Sequence, residues 1–162
     1  PLRGKNTHSI LGYVHKAYPP IYAALCEKVG FDSSLLIRGV EGGVVPSLRQ
    51  KGLMISYHRG VEKAQVSIDP KLLGINRELR AIAFPKEFEN VLERDLLAEY
   101  VVNLGRSALS GKSGMFFDGL VYSASLILWH IGKSKTLPAA ADRVREVLNS
   151  GKSLNRLEAK SL

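Results

Sequence analysis

Two short apolar runs, Ser9-Ile-Leu-Gly-Tyr-Val14 and Ser34-Leu-Leu-Ile-Arg-Gly39, constrain this chain more than any other feature. Each suits a buried strand, and the stretch between them reads as a helix. Pro19-Pro20 opens that helix, Ile21, Ala24, Leu25 and Val29 recur at helical spacing, and Gly30 stops it. A connection of this length makes a right-handed crossover and sets the two strands parallel. The loop Glu41-Gly42-Gly43 then follows the carboxyl end of the second strand, where open α/β sheets hold their ligands.

Downstream, Leu53 to Tyr57 and Ala64 to Ile68 have strand character and read as a small antiparallel pair around Gly60. Asp69-Pro70 ends it, and the stretch to Pro85 reads as loop, with Ala81 to Phe84 as one short extended candidate. From Lys86 the period turns helical: Leu92, Leu96, Leu97, Tyr100, Val101 and Leu104 share a face, and Gly111 fits a helix stop. Phe116 to Ile131 is apolar on nearly all sides, as in a helix buried within a packing layer. Leu137, Ala140, Ala141, Val144, Val147 and Leu148 form a last long amphipathic face, and a short tail helix is expected around Leu154 and Leu157. The expected class is α/β: residues 1–162 as a single domain with a mainly parallel sheet, helices on both faces and a helical C-terminal segment.

Composition removes several function classes. A 162-residue chain with 45% hydrophobic residues can bury a core and is not intrinsically disordered. No apolar run reaches the roughly 18 residues of a membrane helix, so no membrane partner is expected. The lone Cys26 excludes an internal disulfide and a multi-cysteine metal site, which makes the cytosol the default compartment. Pro1 begins the sequence in place of Met and no signal-peptide pattern follows, so a processed product or a piece of a longer chain is expected.

The formal charge of +8 is uneven, because residues 1 to 80 hold 12 Lys and Arg against 6 Asp and Glu. Arg49, Lys51, Arg59, Lys63, Lys71, Arg77 and Arg80 gather mid-chain, with Tyr57 and His58 among them. Such a face is simply solvated, or meets an acidic neighbouring domain, or serves the phosphates of a nucleic acid or a small substrate, since Lys and Arg gain affinity for nucleic acid by displacing counterions. The four histidines, His8, His15, His58 and His130, lack the spacing that places two metal ligands on one helix face. His130 reads as a hydrogen-bonded helix-end residue and Cys26 as a small core residue. Gly105 and Gly111 enclose five residues after a helix, not the four after a strand that a phosphate-cradling loop requires, so Gly111 to Gly114 reads as a turn.

The order and spacing of several local sequences resemble the C-terminal part of the anthranilate phosphoribosyltransferase family (glycosyl transferase family 3), in a divergent branch. Pro1 to Lys5 resembles the end of the family's Gly-Pro-Leu-x-Asn-Pro segment, Ile10 to Val14 the strand after it, and Ser34 to Gly39 the strand ending in His-Gly. Asp69-Pro-Lys-Leu-Leu-Gly-Ile75 is similar to Thr-Pro-Glu-Asp-Phe-Gly-Leu, and Leu109-Ser-Gly-Lys112 to Leu-x-Gly-Glu-Lys. Glu146 to Leu154 is similar to the closing Glu-Ala-Leu-x-Ser-Gly-Lys-Ala-Leu.

The resemblance implies a transferase of tryptophan biosynthesis. A small helical domain and a larger α/β domain would together bind phosphoribosyl pyrophosphate (PRPP) and Mg2+, pass the ribosyl phosphate to an aromatic acceptor, and form a homodimer. By this correspondence the upstream helical domain and its Gly-Thr-Gly-Gly-Asp loop are absent, and the chain alone is expected to be inactive. The substrate or phosphate loop falls on Arg38, Gly39, Glu41, Gly42 and Gly43, with Arg38 in place of the motif's His. The family's adjacent Asp-Glu magnesium ligands fall on Gly43 and Val44 or on Val44 and Val45, which leaves Glu41 as the one weak metal candidate. The alternative implied by the divergent branch is a catalytically silent protein that binds nucleic acid through a basic surface, with Arg49, Lys51, Arg59 and Lys63 as candidates.

Overall fold

A computed structural model describes residues 6–82 and 94–159. The strand, helix, strand unit is present as β1 (His8–Gly12), α1 (Tyr18–Val29) and β2 (Ser33–Ile37). Gly30 ends α1 in the left-handed conformation at φ 91°, its N–H turned back to the carbonyls of Cys26 and Glu27. β1 and β2 pair in parallel, with His8 opposite Ser33 and Gly12 opposite Ile37.

β3 (Gly52–His58) and β4 (Val61–Ile68) form the antiparallel hairpin. Their turn is only Arg59 and Gly60, both at positive φ (46° and 71°), which matches the twist a two-residue hairpin needs. The hairpin joins the main sheet: β3 pairs antiparallel with β2, and the strand order is β1-β2-β3-β4. The sheet is therefore mixed, with one parallel and two antiparallel pairings, where sequence reading expects a mainly parallel one. The α/β class holds. A short connection through residues 38–51 lets the chain reverse beside β2, so no second crossover is made.

Alternation along β2 and β3 feeds a core on each face. Leu35, Ile37, Met54 and Ile68 point to one side, and Leu36, Ile55 and Tyr57 to the other. The first side is covered by α3 (Met115–His130) and α4 (Leu137–Asn149), through Phe117, Val121, Tyr122, Leu126, Ala141, Val144 and Leu148. α2 (Arg94–Leu109) and the short α5 (Lys152–Glu158) flank this layer. α1 covers the second side, so helices lie on both faces. Thr136 caps α4, its hydroxyl accepting from the Ala139 N–H at 3.3 Å.

α1 reverses one expectation. Its sheet-facing residues are Pro19, Ala23 and Cys26, while Ile21, Ala24, Leu25 and Val29 face outward. Small side chains let the helix lie close over Tyr13 and Leu36, so the larger apolar residues are the ones left outside. β1 is likewise a half-exposed edge strand, and Val14 lies beyond it, 55% exposed. In α2, Leu97, Tyr100, Val101 and Leu104 are half-buried, but Leu96 is exposed. Leu92, the segment Pro1 to Lys5 and residues 83 and 84 lie outside the described residues.

Candidate functional site

Beyond the carboxyl end of β2 the chain folds back on itself. The Val40 N–H donates to the Val45 carbonyl at 3.0 Å, and the Gly43 N–H to the Val40 carbonyl at 2.9 Å. This loop crosses the ends of β1 and β2 so closely that a Cβ on Gly12 or on Gly39 would lie 2.0 Å from the carbonyl oxygen of Gly42 or Gly43. Glycine at 12 and 39 is what allows the crossing. Glu41 is held in the left-handed region at φ 53°, an unusual conformation for a residue with a side chain.

Beside this loop lies an open pocket of about 480 Å³ lined by Arg38, Gly39, Ser47, Gln50, Lys51 and Arg80, with β3 and β4 supplying Gly52, Leu53 and Ser67. Among the described residues that line it, three carry cations and none a carboxylate. Arg80 reaches it because the Leu48 N–H donates to the Arg80 carbonyl at 3.0 Å, which fastens two distant loops together. Lys51 Nζ lies 3.6 Å from Asp69 Oδ2 with its side chain 72% exposed, and such solvated pairs are worth only about 0–1 kcal/mol. Among the described residues, no carboxylate pairs with Arg38 or Arg80. Tyr13 stands near Arg38; burial pushes its phenol above the usual tyrosine range, and the Arg38 charge acts against that rise. With hydroxyls from Ser47 and Ser67 and the amide of Gln50, the pocket can neutralise and hydrogen-bond phosphate oxygens.

The residues singled out from sequence divide. Arg38 and Gly39 line the pocket, whereas Glu41, Gly42 and Gly43 form the loop packed over the strand ends. Lys51 lines it and exposed Arg49 stands two residues away. Arg59 sits at the far hairpin turn and Lys63 nearby on β4, some 20 Å along the strands at about 3.4 Å per residue. Arg77 is committed elsewhere, its Nε donating to Asp118 Oδ2 at 2.6 Å. Arg80, one of the mid-chain basic cluster, does line the pocket, and Ser47, Gln50 and Ser67 are the additions, which no local pattern announces because hairpin register and loop packing bring them to Arg38.

Among the described residues the loop does not supply the adjacent acidic pair that the resemblance expects for magnesium. The loop supplies one exposed carboxylate, Glu41, followed by the exposed apolar Val44 and Val45. Among the described residues, no group of three or more His, Cys, Asp or Glu is placed to hold a metal ion.

The mixed four-stranded sheet flanked by helices matches in fold an α/β domain of solved anthranilate phosphoribosyltransferases. Anthranilate phosphoribosyltransferase from Thermus thermophilus superposes with a TM-score of 0.67 at 22% identity, over 91% of this chain and 40% of that one. The Saccharomyces cerevisiae enzyme in complex with PRPP and Mg gives 0.64 at 20% identity, over 94% and 40%. In sequence, an uncharacterized protein of Aquifex aeolicus (strain VF5) is 29% identical over 140 residues, 85% of this chain and 40% of that protein. No family model matches. The chain thus spans about 40% of the length of the proteins it resembles. No described helix is long and apolar enough to cross a membrane.

Proposed function

We propose that this chain is the α/β part of a phosphoribosyltransferase-like protein, and that its cationic pocket binds phosphate groups directly. The supporting observation is the convergence of Arg38, Lys51 and Arg80 on one pocket with no carboxylate among its described lining residues, beside a loop with Gly43, Val44 and Val45 where the resemblance puts the magnesium ligands in one register or the other. In this reading the region contributes phosphate binding and not the transfer step, and the chain alone turns nothing over. PRPP, an aromatic acceptor, an upstream helical domain and a homodimer belong to the whole protein. The likeness to a yeast enzyme in complex with PRPP and Mg supports a sugar phosphate as the ligand.

A second reading rests on the cations outside the pocket. Exposed Arg49, Lys63 and Arg59 extend positive charge from the pocket along the hairpin, a track longer than one sugar phosphate needs. The same phosphate chemistry would then serve a polynucleotide, in a protein that keeps the fold without the reaction.

Calorimetric titration with PRPP, beside a salt series with a short single strand and a duplex, separates the two. The sugar-phosphate reading predicts saturable PRPP binding that Arg38→Ala and Arg80→Ala weaken and that Arg59→Ala with Lys63→Ala leaves intact. The polynucleotide reading predicts DNA binding that falls steeply with salt and whose salt slope flattens when Arg49, Lys51, Arg59 and Lys63 are replaced together. Absence of both would remove the pocket as a phosphate site.

A further inference from the structure

At the amino end of β2 the register assembles a cluster that no sequence spacing shows. His8, Ser33 and His58 are neighbours across three strands, and His130, the last residue of α3, comes down onto them. Ser33 Oγ lies 2.7 Å from His8 Nδ1 on one side and 2.7 Å from His130 Nε2 on the other. His130 Nδ1 lies 3.0 Å from Ser56 Oγ, so both ring nitrogens are occupied by hydroxyls. Ser33, Ser56 and His130 are buried and His8 is exposed, which makes a continuous path from solvent to the underside of α3.

We propose that His8, Ser33, His130 and Ser56 form a hydrogen-bond relay in which proton uptake at His8 sets the tautomer of the buried His130. The reason lies in a count of hydrogens. Ser33 has one hydroxyl hydrogen to give. When His8 is protonated, its Nδ1–H donates to Ser33 Oγ, and the Ser33 hydrogen has one acceptor left, His130 Nε2. His130 then carries its own proton on Nδ1 and donates to Ser56. The opposite tautomer would leave the buried Ser33 hydrogen with no acceptor in the cluster.

When His8 is neutral the direction can reverse. A neutral imidazole in water favours the Nε2–H tautomer, so His8 Nδ1 accepts from Ser33, His130 Nε2–H donates to Ser33, and Ser56 donates to His130 Nδ1. One proton at the surface thus shifts the mobile hydrogen of each member, and no heavy atom moves. The geometry also keeps His130 itself from being the group that charges. It is buried, His58 tilts over it with ring centroids 5.6 Å apart, and His8 stands edge-on at 6.3 Å. Burial first, then the charges of His58 and His8, bring its pKa down to about 4. The carboxylate at this corner, Asp32, is engaged by the Thr7 N–H at 3.0 Å.

Two-bond proton–nitrogen correlation spectra of the chain with 15N-labelled histidine read the tautomer of each ring directly. The relay predicts that His130 passes from the Nε2–H to the Nδ1–H form with the midpoint at which His8 takes up its proton. In His8→Gln that passage disappears, and in Ser33→Ala His130 no longer follows His8. A His130 tautomer that stays constant through the His8 titration of the wild-type chain overturns the proposal, whether or not the variants fold.

Discussion

Beyond the carboxyl end of β2, Arg38, Lys51 and Arg80 stand around an open pocket, the two arginines without a paired carboxylate among the described residues, whereas at its amino end Ser33, Ser56 and His130 are buried with their polar atoms hydrogen-bonded. The strand between them, Leu35 to Ile37, is almost wholly buried and serves both ends. The contrast separates two uses of polar residues. Charge held in solvent costs the fold little and is available to a ligand, but polar groups under α3 are tolerable only because each has a partner. Among the described residues, no buried side-chain nitrogen or oxygen lacks one.

The largest effect is expected at the buried end. His130→Ala should cost about 3 kcal/mol by urea denaturation, because it removes two hydrogen bonds and leaves the Ser33 and Ser56 hydroxyls unanswered, while phosphate binding stays as it was. Acid should act at the same place. The folded pKa of His130 is depressed to about 4, so between pH 6.5 and 4 the unfolded chain binds a proton that the folded one refuses. Stability from this group is complete above pH 6.5 and falls as pH drops, by roughly 3 kcal/mol at pH 4. Urea curves at pH 7 and 4.5 should therefore differ more in the wild type than in His130→Asn.

At the open end the pattern inverts. Arg80→Ala should weaken inorganic pyrophosphate about tenfold in calorimetry, near 1.4 kcal/mol, and shift the urea midpoint by less than about 0.5 kcal/mol. Lys51→Ala should do less, since its side chain is mostly exposed and already faces Asp69. Glu41→Gly is the smallest change and the sharpest on the metal question. Relief of the left-handed backbone should stabilise the fold by up to about 1 kcal/mol, with pyrophosphate affinity unaltered. A marked loss of affinity would return Glu41 to the site.

Local signals carried much of the architecture. Pro19-Pro20 and Gly30 bound α1, Gly111 stops α2, and the parallel β1–β2 unit follows from the length of its crossover. Signals that depend on partners were not legible. The outward face of α1 is the more apolar one because Ala23 and Cys26 permit close packing, a fact about the sheet beneath it. Whether the β3–β4 hairpin stands apart or joins β2 is decided by pairing, which periodicity does not report. The same holds for the two ends of β2. Arg38 and Gly39 could be found from the loop they begin, but Arg80 arrives through the Leu48 N–H. His130 reads as a helix-end hydrogen-bonding residue, as the structure has it, yet its meeting with His8 and His58 requires the strand register.

Titrating this chain with inorganic pyrophosphate in the calorimeter, once with a chelator present and once with excess magnesium, asks whether the pocket's cations hold phosphate without a divalent metal. Saturable binding in the chelator, weakened by Arg38→Ala and Arg80→Ala and not enhanced by magnesium, is the predicted result. Binding that appears only when magnesium is added, or that is indifferent to both arginines, would contradict it.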